Sequence, residues 1–141
     1  MNIAQDINDH LYQIHSFTSK GVEIAVPSGN IDVELRPIDG LIPLSENFII
    51  SPRHLKTDWK REGRAALNEE DFIDLANILE ELTVEILILG TGERILFPEP
   101  SELSPFLSRG IGVEAMDSRA ACRTYNLLAA EGRAVAAAIT L

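Results

Sequence analysis

The sequence predicts an α/β protein with a central, mostly parallel sheet, and two patterns lead to that prediction. From Phe48 onward, segments of strand character alternate with segments of helical periodicity, which is the order that produces crossover units and parallel strands. The most recognisable strand, Val84–Leu89, is nearly all aliphatic and ends in the glycine turn Gly90–Gly92. A continuous apolar run of this kind is typical of a strand that is covered on both faces.

The first forty residues predict an additional antiparallel layer. Leu11–Phe17 alternates in part between apolar and polar residues, Lys20 and Gly21 form a turn signal, and Val22–Val26 alternates again. This pattern indicates an N-terminal hairpin. A further half-buried strand is expected at residues 31–36, where apolar and charged residues alternate between two prolines.

The middle of the chain predicts a short apolar strand at Asn47–Ser51 and a connecting segment at 53–64. Asn68 is expected to cap a helix of about four turns, because Glu69–Asp71 place negative charge in its first turn. Its apolar residues recur on one face at helical spacing. They are Phe72, Leu75, Ile78, Leu79 and Leu82.

The C-terminal half continues the alternation. Asp117 or Ser118 is expected to cap the last helix, which ends at Glu131 and Gly132. The other predicted elements are a short strand at Arg94–Phe97, a helix from Ser101 to about Ser108, a strand at Ile111–Ala115 and a closing strand at Arg133–Ile139.

Bulk composition limits the class of protein. The 141 residues fit a single domain spanning residues 1–141, and the formal net charge of −10 disfavours binding to nucleic acid and to anionic membranes. The one cysteine, Cys122, excludes an intrachain disulfide and suits a reducing compartment. Residues 1–10 have no signal-peptide core and no apolar run is long enough to cross a bilayer. We therefore expect a soluble, cytoplasmic protein without membrane insertion; the alternative is a mature organellar matrix protein, which would have the same sequence features.

Three loops are candidates for a ligand site, because ligands of open parallel sheets bind outside the carboxyl ends of the strands. If the strands are parallel neighbours, the start of the last helix faces the same edge and its arginines suit a small anion. The alternative is that the glycines form only a tight turn, that the acidic residue is an ordinary cap and that the arginines are solvated. The candidate ligand-binding residues are Ser51, Arg53, Gly90, Thr91, Gly92, Asp117, Ser118, Arg119 and Arg123.

The basic segment around Trp59 is a candidate site for a protein partner. Trp59, Lys60 and Arg61 are consecutive, and an exposed tryptophan among cations resembles a protein-interface hot spot. The alternative is that Trp59 packs into the core while the charges are solvated. The sequence favours neither interpretation over the other.

No catalytic constellation is recognisable. The Gly90–Gly92 turn lacks the third glycine and the following helix of a dinucleotide fingerprint. His10, His15 and His54 are isolated from carboxylates at metal-ligand spacing, so neither a metal nor a cofactor is predicted. Cys122 lies in the middle of the last helix with no histidine near it in sequence, and it is expected to be buried and inert.

The later motifs resemble a known family. They are Gly90–Gly92, Ile111–Ser118, Ala120–Leu128 and Glu131–Arg133, and earlier Ser51–Pro52, Trp59 and Leu67–Phe72 also fit, so the resemblance covers most of the chain. They resemble a small domain of unknown function whose members include the mitochondrial complex I assembly factor 3 and the adipogenesis-associated domain protein. The pair Asp117-Ser118 departs slightly from the Asp-Thr of the family, and no mitochondrial presequence is recognisable.

The resemblance implies a three-layer α/β fold with a central mixed sheet flanked by helices, and no agreed enzymatic activity. Because the eukaryotic members act through protein partners, we predict a non-enzymatic interaction or assembly module, for which homo-oligomerisation stays open. The alternative is a small-anion binder, or an enzyme of unknown type, that uses the loops at the carboxyl edge. A deep polar pocket near Thr91 would favour the ligand, and a flat apolar patch there or near Trp59 would favour the partner.

Overall fold

The computed structural model describes residues 10–28, 37–57, 59 and 67–141. Strands precede the first helix, and strands and helices alternate after it, as the sequence pattern predicts. In chain order the elements are β1 (Gln13–Thr18), β2 (Gly21–Ala25), β3 (Leu41–Leu44), β4 (Phe48–Ser51), β5 (His54–Lys56), α1 (Glu69–Glu81), β6 (Ile86–Gly90), α2 (Pro100–Leu107), β7 (Gly112–Met116), α3 (Ser118–Ala130) and β8 (Val135–Ile139).

The first three strands form an antiparallel sheet in the order β1-β2-β3. The predicted hairpin is confirmed as β1 and β2, with Thr18 opposite Gly21 at the turn. Strand β3 was not predicted, because Pro43 interrupts its apolar pattern. Proline is tolerated here since β3 lies at the edge of the sheet, where a missing N–H costs no ladder hydrogen bond. The strand predicted at 31–36 lies outside the described residues.

The other five strands form a mixed sheet in the order β5-β4-β8-β6-β7. Strands β8, β6 and β7 are parallel neighbours, whereas β4 runs antiparallel to both β8 and β5. The expected mixed α/β sheet is therefore confirmed. Strand β5 is a finding of the structure, because the sequence predicted only a connecting segment there.

The two faces of this sheet are covered by different helices, and strand β8 shows how the sequence produces this. Its residues alternate between two cores and all of them are buried. Val135 and Ala137 pack with Tyr125 of α3, while Ala136 and Ala138 belong to the core that contains α1 and α2. Helix α3 also packs against β1, so the antiparallel sheet forms a further layer over α3.

Local hydrogen bonds explain where the helices begin. The Asn68 side chain accepts from the Asp71 N–H at 2.9 Å, and the Asp71 carboxylate accepts from the Asn68 N–H at 2.9 Å. This reciprocal capping box confirms the predicted start of α1. Asp117 caps α3 by accepting from the Ala120 N–H at 2.9 Å. The strand predicted at Arg94–Phe97 is wrong, since these residues form a loop.

Candidate functional site

The glycine turn lies at the carboxyl edge of β6, as predicted. Because β6 and β7 are parallel, with Gly90 opposite Met116, the turn meets the start of α3. The Thr91 N–H donates to the Met116 carbonyl at 2.9 Å, and the Ser118 N–H donates to the Gly92 carbonyl at 2.8 Å. The predicted convergence of the turn with the loop before α3 is therefore present.

Ser118 is the centre of a buried hydrogen-bond network at this edge. Its Oγ accepts from the Gly92 N–H at 2.8 Å and donates to the Thr140 carbonyl at 2.6 Å. The Thr140 hydroxyl in turn donates to the Gly90 carbonyl at 2.9 Å. The network links the ends of β6 and β8 to the first residue of α3.

The two glycines of the turn have different structural roles. A Cβ on Gly90 would lie 2.9 Å from Ile139 Cδ1 and 3.1 Å from Ala121 Cβ, so only glycine lets α3 approach β6 this closely. Gly92 has φ +96°, which residues with a side chain rarely adopt. The N–H groups of Thr91 and Gly92 both form hydrogen bonds within the protein. A tight turn without a ligand therefore explains every one of these features.

Thr91 also positions the loop that follows. Its side chain is 5% exposed, and its hydroxyl donates to the Arg94 carbonyl at 2.5 Å and accepts from the Leu96 N–H at 3.1 Å. These bonds use the main-chain groups that a strand would need for pairing, which is why the segment is a loop. Ile95, Leu96 and Phe97 are 48%, 43% and 78% exposed, and we call these three residues the apolar loop.

A cavity of about 470 Å³ lies beside the glycine turn, between the β1–β2 turn and the start of α3. Charged residues of both signs line it, namely Lys20, Glu93, Asp117 and Arg119. The Arg119 guanidinium carbon lies 4.6 Å from the centre of the Phe17 ring and Nη1 donates to the Phe17 carbonyl at 3.4 Å. Arg119 therefore ties the hairpin to α3.

Arg123 does not join Arg119 in this cavity. It lies one turn further along α3 and is exposed, and the described lining of the cavity does not include it. The candidate anion site thus holds Arg119 without its predicted companion, and Arg119 already has a partner in Phe17.

The expected grouping of Ser51 and Arg53 with the glycine turn is wrong. The prediction assumed parallel strands, but β4 runs antiparallel to β8, with Phe48 opposite Ile139 and Ile50 opposite Ala137. The carboxyl end of β4 therefore lies at the amino edge of β6 and β8. Ser51 and Arg53 are at the end of the sheet opposite to Thr91.

At that amino edge the structure shows a second cleft, of about 390 Å³. Its described charged and titratable lining residues are His10, Arg53, His54 and Arg133, with Ser51 and Thr83 among the polar ones, and we call it the basic cleft. Sequence reasoning missed Arg133 and His54 as members of a common site. Arg133 follows the last helix in sequence, and only the register of β8 against β4 brings it near Arg53.

Of the three candidate partner-binding residues, Trp59, Lys60 and Arg61, the structure describes Trp59. Trp59 is 5% exposed and belongs to the core beneath α1. Its main-chain N–H donates to the Asn47 carbonyl at 3.0 Å. The structure therefore supports the core interpretation of Trp59 over an exposed hot spot. Lys60 and Arg61 lie outside the described residues.

Cys122 is fully buried, as expected from its place in the last helix. Burial raises the pKa of its thiol to about 12, against the opposing effect of Arg123 and Arg119. Within the described ranges no group of three or more His, Cys, Asp or Glu residues is arranged to hold a metal ion. Across the same ranges, no helix is both long and apolar enough to cross a bilayer.

Known proteins share this fold. A structure from Bordetella pertussis, described as a Mth938-like domain, aligns with a TM-score of 0.74 over 99% of this chain and 92% of that one, at 24% identity. A structure from Xanthomonas campestris aligns with a TM-score of 0.66 and 31% identity, over 99% of this chain and 92% of that one. These similarities confirm the α/β fold expected from the sequence.

Sequence comparisons, and above all a family model, identify the family. The NADH dehydrogenase (ubiquinone) 1 alpha subcomplex assembly factor 3 of Bos taurus is 38% identical over 81 residues, which are 57% of this chain and 43% of that protein. The chain spans less than half the length of the curated relatives it matches. The family model "Protein of unknown function (DUF498/DUF598)" matches residues 29–140. The resemblance seen in the motifs is thereby confirmed, and the chain belongs to this family of unknown function.

Proposed function

We propose that the chain is a non-enzymatic module that binds a protein partner, acts in assembly, and docks that partner on the apolar loop. The observation that carries the proposal is the exposure of three consecutive apolar side chains, Ile95, Leu96 and Phe97. Contiguous exposed apolar surface is typical of interaction sites, whereas single exposed apolar residues are ordinary.

The buried Thr91 orders the apolar loop before a partner binds. Because the Thr91 hydroxyl bonds both the Arg94 carbonyl and the Leu96 N–H, the backbone around Ile95 is already ordered. An ordered loop loses less conformational entropy on binding than a free one does. Burying an aromatic side chain such as Phe97 contributes about 1.5–3 kcal/mol, enough for one anchor residue to dominate a small interface.

The relatives favour a protein as the bound partner. The bovine relative is named as an assembly factor of NADH dehydrogenase, and assembly is a task of protein contacts. The chemistry at the glycine turn supports a role without catalysis, since its N–H groups pair with Met116 and Ser118 rather than facing the neighbouring cavity. Cytoplasmic localisation stays a prediction from the sequence.

The test is co-purification from the native cell with three forms of the chain: wild type, Phe97→Asp and Leu127→Asp. Leu127 is a matched control because it is an apolar residue of α3 that is 61% exposed. We expect wild type and Leu127→Asp to recover the same defined protein in stoichiometric amount, and Phe97→Asp to lose it. Thermal melting of all three forms verifies that they fold equally well.

Two results would contradict the proposal. One is equal recovery of the partner by Phe97→Asp, which would move the docking surface elsewhere. The other is repeated recovery of no partner by wild type. Analytical ultracentrifugation adds a third outcome: a dimer that Phe97→Asp abolishes would make the occupant of the apolar loop a second copy of this chain.

A further inference from the structure

The basic cleft concentrates positive charge on an acidic protein. The chain carries a formal net charge of −10, yet two arginines, Arg53 and Arg133, and two of its three histidines, His10 and His54, line one cleft of about 390 Å³. None of the described residues in the lining is acidic. The two guanidinium groups repel each other, so an anion bound between them would be favoured electrostatically.

The antiparallel strand β4 is what assembles the cleft. With Ile50 opposite Ala137, the carboxyl end of β4 lies beside the start of β8, and the turn that follows β4 carries Arg53 into the same cleft as Arg133. The short β4–β5 hairpin, in which Ser51 lies opposite His54, adds the histidine to the same rim. The four basic groups thus come from three segments of the chain, around His10, Arg53-His54 and Arg133, that meet only in the folded protein.

The ends of two helices offset only part of this charge, since each carries roughly half a unit of negative charge. Helices α1 and α3 both finish at the cleft, and their terminal carbonyls carry partial negative charge. Two of these carbonyls also have main-chain partners: Leu79 O accepts from the Val84 N–H at 3.0 Å, and Leu128 O accepts from the Arg133 N–H at 3.0 Å. Among the residues that the structure describes, no carboxylate forms an ion pair with the guanidinium of Arg53 or Arg133.

We infer that the basic cleft binds a small organic phosphate, with Arg53 and Arg133 as the residues that hold its anionic group. Guanidinium groups match phosphate oxygens through paired hydrogen bonds, and imidazole rings carry N–H groups that can also donate. Apolar residues of the cleft, Leu82, Val84 and Val135, suit a compact carbon body attached to the phosphate. The volume fits a small metabolite rather than a polymer.

The test is a titration followed by amide chemical shifts, with phenyl phosphate as a probe that carries both an anionic group and an apolar body. Inorganic phosphate and benzoate serve as the probes that lack one feature each. We expect saturable shifts at residues 51, 53–54, 82–84 and 132–135, with phenyl phosphate binding about tenfold more tightly than inorganic phosphate or benzoate.

Substitutions make the test specific. Arg53→Gln with Arg133→Gln is expected to weaken phenyl phosphate binding by about tenfold or more, and Arg53→Gln alone by an intermediate factor. Arg123→Gln removes an exposed arginine outside the cleft and is expected to change binding by less than about twofold. Because Arg53 and Arg133 are exposed, all variants are expected to keep the wild-type melting temperature.

Several outcomes would overturn the inference. They are shifts that never saturate, shifts confined to the opposite edge around Gly92 and Arg119, equal binding by the double variant, and benzoate binding as tightly as phenyl phosphate. The apolar loop lies at the carboxyl edge, so Phe97→Asp should leave phenyl phosphate binding unchanged. Failure of the docking proposal and failure of this one are therefore distinguishable.

Discussion

The side-chain amide of Asn126 forms two hydrogen bonds with the main chain of Ile14. Its Oδ1 accepts from the Ile14 N–H at 2.9 Å, and its Nδ2 donates to the Ile14 carbonyl at 2.8 Å. Ile14 lies in the edge strand β1, where the pairing with β2 shifts register between Ile14 and Ser16. The amide therefore takes the place of a neighbouring strand and ties the antiparallel sheet to α3.

We expect Asn126→Ala to lower the free energy of unfolding by about 2–3 kcal/mol, because it leaves the buried N–H and C=O of Ile14 unpaired. Urea unfolding followed by circular dichroism measures the change. Leu127→Ala is the control, since its neighbouring side chain is exposed, and a change within about 0.5 kcal/mol is expected there. Equal effects of the two substitutions would contradict the role assigned to the amide.

Ser118 offers a second test at the carboxyl edge. Ser118→Ala removes the acceptor of the Gly92 N–H and the donor to the Thr140 carbonyl, so we expect a loss of about 1–3 kcal/mol in unfolding free energy. Ser104→Ala, at an exposed position of α2, should change it by less than about 0.5 kcal/mol. Chemical denaturation of both variants measures the two changes in unfolding free energy. A Ser118→Ala protein with the wild-type unfolding free energy would show that the network contributes nothing to stability.

The close approach of α3 to β6 predicts that Gly90→Ala is destabilising. The added methyl group would lie 3.0 Å from Ser118 Oγ, whose position is held by two hydrogen bonds. We expect a cost of about 1–3 kcal/mol from overpacking. Gly112→Ala is the matched control in a parallel strand of the same sheet, because its Cβ would meet only the Glu85 carbonyl at 3.9 Å. Thermal melts should separate the two variants, and indistinguishable melting temperatures would contradict the packing argument.

Cys122 is expected to resist thiol reagents in the native protein. Burial raises its pKa to about 12, so at about pH 8 almost no thiolate is present and the side chain is inaccessible as well. Labelling with a thiol-specific disulfide reagent should be slow in buffer and rapid in urea. Rapid native labelling would show that α3 is more open than the structure indicates.

The same burial predicts a loss of stability in alkali. The unfolded chain releases the Cys122 proton near its ordinary pKa of 9.0, whereas the folded chain keeps it until about 12. The contribution of the Cys122 thiol to the free energy of unfolding is therefore fully present below about pH 9, and it falls by about 1.4 kcal/mol per pH unit above it. Tyr125, whose pKa burial also raises, adds to the loss. In Cys122→Ala the slope of the unfolding free energy against pH, between about pH 9.5 and 11, should be smaller by about 1.4 kcal/mol per pH unit. An unchanged slope would show that other groups cause the loss of stability.

Much of the fold was readable from local patterns. Asn68 and Asp117 are capping residues whose side chains bond the helix N–H groups beside them in sequence, so the starts of α1 and α3 could be predicted. The apolar run that became β6 indicated a strand covered on both faces. The apolar loop was mistaken for a strand because the Thr91 hydroxyl, rather than any pattern within the loop, fixes its backbone.

The sequence by itself determined the three helices, the N-terminal hairpin, the strands from β6 onward and the glycine turn, because hydrophobic period, capping and turn chemistry act within a few residues. Only the tertiary structure decided which loops share an edge. The direction of β4 depends on its pairing with β8, which lies far away in sequence. Because that pairing is antiparallel, Arg53 lies in the cleft with Arg133 and not at the glycine turn. Strand direction is a property of long-range hydrogen bonding that no local pattern encodes, and both the basic cleft and the burial of Trp59 follow from such contacts.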